Sequence, residues 1–154
     1  MTSQNLKKPK RGEIWIVNLD PTIGKEIKKT RPCLVMQSDL INESLRTTMV
    51  APITSTIKEG WPFALVLEKE EGGLRNKSMT LFNQIKTTDI KRFTKRIGKI
   101  SEEKMNHILH LLFRGLKAEG MVTFTKEDEA LREARKAATS YLRGQVEDQE
   151  KRKN

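Results

Sequence analysis

Arg31 directly precedes Pro32 and the apolar run CLVM, and three consecutive hydroxyl residues, Thr54, Ser55 and Thr56, follow a second apolar run, VAPI. An arginine at the start of a strand can grip a phosphate with two parallel hydrogen bonds, and hold it more strongly as charge develops on phosphorus. Displacement at a phosphodiester by a neighbouring hydroxyl needs such charge stabilisation, with help for the departing proton and for the leaving oxygen. Each position also has a plainer reading, as an ion-paired arginine and as a strand end built of turn-forming residues.

Histidine often moves the protons in such reactions. Here His107 and His110 lie three apart in one helical segment, and His107 has no visible carboxylate partner. Both are expected to be solvated or half-buried helix residues, which disfavours a histidine-driven mechanism. Cys33, the only cysteine, sits in the apolar run RPCLVM and is expected to be a small buried hydrophobe rather than a nucleophile. A single cysteine also excludes an internal disulfide and a cysteine-based zinc site. No carboxylate cluster suggests Mg²⁺, no His/Cys set suggests zinc and no glycine-rich phosphate cradle is present, so no metal or cofactor is expected.

Lys25, Lys28 and Lys29 crowd the loop before Arg31, a basic face beside the arginine that could grip a phosphate. Lys91, Arg92, Lys95, Arg96 and Lys99 form a second basic cluster, expected to be a solvated face. Trp15 is expected in the core. Trp61, between Gly60 and Pro62, is open enough by context to stack on a base or meet a partner, with core packing an equal alternative.

These residues must be positioned by short strands. Glu13 to Leu19 carries β-branched and aromatic residues on both faces, as a strand buried on two sides would. Pro32 to Gln37 and Thr47 to Ile53 are the next strands, joined by a polar connection, Ser38 to Arg46, with room for a helical turn. Pro62 to Leu67 and Ser78 to Gln84 alternate in strand fashion about a turn at Glu70-Glu71-Gly72-Gly73, and Arg96 to Ile100 is a last short strand. Such strands with irregular polar connections imply a small antiparallel barrel or strongly bent sheet. Ser101 is a good N-cap for a helix whose stripe is Met105, Ile108, Leu109, Leu112 and Leu116. After Gly120 the character changes, and Thr125 opens a second amphipathic pattern from Ala130 to Leu142 that ends near Gly144.

The length of 154 residues fits one domain with an appendage. The expected division is a flexible basic arm over 1–9, a domain over 10–118 and a helical extension over 119–154. Of 30 Lys+Arg and 20 Asp+Glu, residues 119–154 hold eight of each, so the whole excess of +10 belongs to the first 118. That surplus favours a polyanionic partner. The amino terminus, MTSQNLKKPKRG, has basic residues but no apolar stretch after them, and no segment is long and apolar enough to span a bilayer. A soluble cytoplasmic protein without membrane attachment is the expectation.

The fragments RGEIWIVNLDPTIGKE, RPCLV and VAPIT, in that order, followed by WPFALVL, a strand ending in Asn83-Gln84-Ile85 and KRIGKIS, resemble the MazF/PemK family of toxin endoribonucleases from about Lys10 to Leu116. No fragment is diagnostic alone; order and spacing carry the match. The resemblance implies a mostly β fold, a small SH3-like antiparallel barrel of the PemK/CcdB type with short helices, to which the C-terminal helix is an addition. It implies metal-independent, sequence-selective cleavage of single-stranded RNA to a 2′,3′-cyclic phosphate and a 5′-hydroxyl, a homodimer, and neutralisation by a MazE-like antitoxin. Arg31 and Thr54 match the family's RNA-cleaving pair, and Glu26 matches an acidic residue near that site, placed to orient Arg31 or bind a base edge. Lys25, Lys28, Lys29, Ser55, Thr56 and Gln84 are the expected RNA-binding residues. Asn83 stands where the family has an acid before the glutamine. Two alternatives stay open: a CcdB-like, gyrase-inhibiting toxin of the same fold, and a non-catalytic RNA-binding module.

Overall fold

The computed structural model describes residues 8–61 and 64–116, except for the side chain of Arg114. The chain falls into two compact units, Met1–Lys117 and Ala118–Asn154, and the described residues all lie in the first. Most of the expected arm, the start of the strand read from Pro62, and the helix read from Thr125 to Leu142 lie outside the described residues.

The element order is β1 (Glu13–Asn18), β2 (Thr30–Val35), α1 (Asp39–Ser44), β3 (Thr47–Thr54), β4 (Val66–Leu67), β5 (Ser78–Thr80), β6 (Lys86–Asp89), β7 (Phe93–Lys99) and α2 (Glu102–Gly115). The strands form one antiparallel sheet ordered β4-β5-β3-β2-β1-β7, with β6 joined to β3 beside β5, so the fold is a half-barrel with a few helices. Both faces of β1 are buried, as its composition predicts. Ile14 packs with Leu34, Ile53, Leu74 and Met105 on one side, while Trp15 and Val17 pack with Cys33, Val50 and Phe93 on the other.

Several strand expectations need correction: β2 starts at Thr30 and stops at Val35, before Gln37, and β4 holds only Val66–Leu67. β5 does not run to Gln84 but stops at Thr80, and a 3₁₀ turn over Phe82–Gln84 follows. The cause is Pro52 on the neighbouring strand: its carbonyl accepts from the Leu81 N–H at 2.8 Å, but proline has no N–H to return, so the ladder ends there. The chain then rejoins β3 further back as β6, whose polar sequence KTTD does not announce a strand, pairing Lys86 to Asp89 with Val50 to Thr47. β7 likewise starts three residues before Arg96, because Phe93 packs edge-on against Trp15 with ring centroids 5.9 Å apart.

α2 has the expected cap, with the Ser101 hydroxyl accepting from the Lys104 N–H at 3.2 Å. Its buried stripe is narrower than the sequence implies. Met105 and Ile108 are buried and Leu111 and Leu112 pack at the margin, whereas Leu116 is 68% exposed beyond the last turn.

β4 and β7 are the two ends of the strand order, and glycines bring them together. The turn Glu71–Gly73 between β4 and β5 lies against β7 so closely that a Cβ on Gly98 would stand 2.2 Å from the Gly72 carbonyl oxygen. A Cβ on Gly73 would stand 1.9 Å from the Ile97 carbonyl oxygen. Both neighbours are backbone, so neither can rotate aside. Gly98→Ala is therefore expected to destabilise the protein by about 3 kcal/mol through overpacking. Gly24→Ala, with open space around it but a φ of +57°, should cost only about 1 kcal/mol in backbone strain. Paired urea titrations measure the difference, and equal midpoints would refute the close-approach argument.

Candidate active site

β2 and β3 pair with Cys33 opposite Pro52, and two further residues along that register set Arg31 level with Thr54, where both strands end. The loop before Arg31 is drawn tight: the Lys29 carbonyl accepts from the Leu19 N–H at 3.2 Å, and the Lys29 N–H donates to Asp20 Oδ1 at 3.2 Å. Lys29 itself takes a left-handed φ of 73°, which turns the chain into β2. The Arg31 guanidinium is half-buried and anchored at two nitrogens, Nε donating to the Lys28 carbonyl at 2.8 Å and Nη1 to the Ile53 carbonyl at 3.4 Å. Nη2 has no partner among the described residues. The Thr54 hydroxyl accepts from the Thr56 N–H at 3.2 Å, which occupies a lone pair and leaves its proton for donation.

Arg31 and Thr54 open into one cavity of about 600 Å³, together with Lys29, Ser55 and Thr56. Its floor is apolar, formed by Ile16, Pro32, Ile53, Leu74 and Ile97. Its far wall holds residues the sequence reading did not single out for a site, Arg75 and Asn76, which follow the glycine turn, and it includes Lys95 of β7. Four cations, Lys29, Arg31, Arg75 and Lys95, thus line a cavity whose walls hold no carboxylate and no histidine among the described residues. None of the four has a carboxylate within ion-pair distance among the described residues. Such a site suits an anion whose charge grows during reaction.

The other expected residues go elsewhere. Lys25, Glu26 and Gln84 line a second cavity of about 350 Å³. There Glu26 lies 3.6 Å from Lys86 Nζ, and Gln84 Oε1 accepts from the Ile27 N–H at 2.6 Å, which ties the loop to the turn after β5. Lys28 lines neither of these two cavities and serves Arg31 through its carbonyl. His107 and His110 are exposed on α2, outside both cavities. Trp61 is 37% exposed, with Lys58 Nζ 5.5 Å from its ring centroid. Among the described residues no group of three His, Cys, Asp or Glu side chains is placed to hold a metal ion.

The second basic cluster is not one solvated face. Strand alternation on β7 sends Lys95 to the cavity, while Arg96 turns to the opposite side and donates from Nε to Glu13 Oε1 at 2.6 Å. Arg92 donates to the carbonyls of Asn18 and Asp20. Glu13 is buried and also accepts from the Lys10 N–H at 2.9 Å and the Trp15 indole at 2.8 Å. Burial alone would raise its pKa, but the Lys10 N–H, the indole and Arg96 together outweigh burial and lower it. Cys33 is fully buried as expected, and burial pushes its thiol up to about 12 against the opposing charges of Arg31 and Lys86, so it is no nucleophile.

Residues 10–114 match the family described as PemK-like, MazF-like toxin of type II toxin-antitoxin system. Endoribonuclease EndoA of Bacillus subtilis is 33% identical over 100 residues, 64% of this chain and 86% of that protein. Endoribonuclease PemK of Escherichia coli is 35% identical over 100 residues, 64% of this chain and 75% of that protein. The half-barrel is shared with MazF of Deinococcus radiodurans, with a TM-score of 0.63 at 21% identity, covering 72% of this chain and 98% of that one.

Because the pKa of Glu13 is lower folded than its ordinary 4.5, its contribution is present above that value and is lost as pH falls through the folded one. Glu13→Gln should cost about 2 kcal/mol near pH 7, since Arg96 and the indole lose a charged acceptor. It should also flatten the decline in stability that the parent protein shows below about pH 4.5. Urea titrations at both pH values check this, and an unchanged acid limb would count against the ion pair.

Proposed function

The chain belongs to the PemK-like, MazF-like toxins of type II toxin-antitoxin systems, and we propose that it is a metal-independent, sequence-selective endoribonuclease acting on single-stranded RNA. The reading is supported above all by the cavity that Arg31 and Thr54 line side by side, with no carboxylate in its walls among the described residues. The nucleotide's own 2′-hydroxyl attacks the adjacent phosphorus. The P–O5′ bond breaks, and the proton lost from the 2′-oxygen is balanced by the one gained on the 5′-oxygen. A 2′,3′-cyclic phosphate and a 5′-hydroxyl result. Arg31, already anchored through Nε and Nη1, donates to the non-bridging oxygens where charge accumulates, and the Thr54 hydroxyl donates from the other side. No metal is needed in this scheme, because the substrate supplies the nucleophile and the guanidinium supplies the charge.

Lys29, Ser55 and Thr56 hold the backbone beside the cut. Lys25, Lys28, Glu26 and Gln84 belong to the flanking loop region, where Gln84 and the Glu26–Lys86 pair offer base-edge donors and acceptors. The toxin acts in the cytoplasm as a homodimer and is neutralised by a cognate antitoxin of the MazE type. No helix among the described residues is long and apolar enough to cross a membrane.

Arg31→Ala should lose about 3 kcal/mol of transition-state stabilisation, on the order of a hundredfold in rate, with an unchanged melting temperature. Thr54→Ala should lose less, since a water can replace one hydroxyl. Folded Arg31→Ala protein that cuts a long RNA at the parent rate would overturn the assignment, and RNA binding without cleavage by the parent would make the protein a binding module.

The product chemistry has its own test. Cleavage should persist in excess EDTA and stop when the nucleotide on the 5′ side of the cut is replaced by its 2′-deoxy form. Scission of that deoxy substrate would rule out attack by the 2′-hydroxyl.

A further inference from the structure

The cavity holds more positive charge than one scissile phosphate can use. Lys29 and Arg31 enter from the loop and start of β2, but Arg75 and Lys95 enter from the opposite side, on the segment after the glycine turn and on β7. Lys95 pairs in register with Ile16, whose side chain is part of the floor, and Ile97 lies two residues further along the same face. Lys95 and Arg75 are both exposed, and their side chains have no hydrogen-bond or ion-pair partner among the described residues. Several other cations of this unit do find acceptors, Arg96 in Glu13, Arg92 in two carbonyls, Lys77 in Glu68 and Lys86 in Glu26, while Lys25, Lys28 and Lys91 are exposed outside this cavity. Two unneutralised cations held on the same cavity as two more repel one another, and a polyanion lying across all four removes that repulsion.

We propose that Arg75 and Lys95 form a second phosphate-binding pair, which holds the phosphate next to the scissile one on the RNA strand. The proposal rests on the endoribonuclease reading for its substrate and deepens it by fixing the path of the backbone. The RNA crosses the apolar floor from Lys29 and Arg31 to Arg75 and Lys95, so two successive phosphates are held in one cavity. Arg75 and Lys95 are positioning residues: they touch no reacting atom and bind ground state and transition state alike, so their loss raises KM and spares kcat.

The test uses the full chain and a single-stranded RNA containing a mapped cleavage site, with a 2′-O-methyl group on the 5′ side of the cut to block reaction. Each phosphate in turn is replaced by an uncharged methylphosphonate, and binding is measured against the parent protein, Lys95→Gln, Arg75→Gln and Lys91→Gln. Neutralising the phosphate next to the cut should weaken binding to the parent about tenfold, yet weaken binding to Lys95→Gln or Arg75→Gln little further. Each of these two variants should also lower the salt slope by about 0.7, the contribution of one single-strand phosphate contact. Lys91→Gln removes a charge outside the cavity and should leave the slope unchanged. On cleavable RNA, Lys95→Gln should raise KM several-fold with kcat unaltered. If the methylphosphonate penalty is as large in both variants as in the parent, the second site is refuted. If the parent binds with the expected phosphate pattern but never cleaves, the endoribonuclease reading falls while the phosphate path stands.

Discussion

The contact between two stretches of bare backbone, Gly72–Gly73 and Ile97–Gly98, decides what kind of object the sheet becomes. Without it β4 and β7 would be the distant ends of an open antiparallel sheet. With it, the turn between β4 and β5 rests on β7 at a distance that excludes any side chain, and the sheet curls into a half-barrel. The same contact delivers Leu74 into the core beside Ile14 and Ile100, and carries Arg75 and Asn76 into the wall that faces Arg31. Stability and site thus share one constraint, because the residue that packs the interior and the residue that charges the cavity are neighbours on one short segment.

Charge is sorted by the pleat. On β7 successive residues point to opposite faces, so Lys95 and Arg96 have different fates. Arg96 reaches from the surface to the buried Glu13, which also holds the Trp15 indole, and so fastens β7 to β1, while Lys95 is left in a cavity without counter-charge among the described residues. A similar contrast separates the two cavities. In the smaller one Glu26 lies beside Lys86, and its local charge is largely balanced; in the larger one four cations are unbalanced, at some cost in self-repulsion to the free protein. That imbalance makes the larger cavity the better suited of the two to an anion.

Arg31 differs from the other three cations in being held. Its Nε and Nη1 bond to carbonyls of the preceding loop and of β3, so its orientation is set before any substrate arrives. A pre-oriented guanidinium requires no reorganisation when an anion arrives, which sets Arg31 apart from the three cations whose side chains have no such anchors among the described residues.

The family, the candidate site pair and several elements were legible in the sequence. RPCLV and VAPIT identify Arg31 and Thr54 through their resemblance to a known family, the alternation in EIWIV announces a strand buried on both faces, and Ser101 with Met105 and Ile108 marks a capped, half-buried helix. These features are local, since each depends on residues within a turn or a strand of one another. What the sequence could not convey depends on which segments lie side by side. β5 ends at Thr80 because the residue opposite Leu81 is a proline on another strand, and the polar KTTD becomes a strand only because β3 has a free edge to pair with. Lys95 reads as one member of a basic run, and only the pairing of β7 with β1 turns it toward Arg31, while the glycine contact brings Arg75 to meet it. Sequence patterning determined the strands, the cap and the candidate catalytic pair; tertiary structure decided which cations share a cavity, because that choice is made by backbone hydrogen bonds and close approaches between segments far apart in the chain.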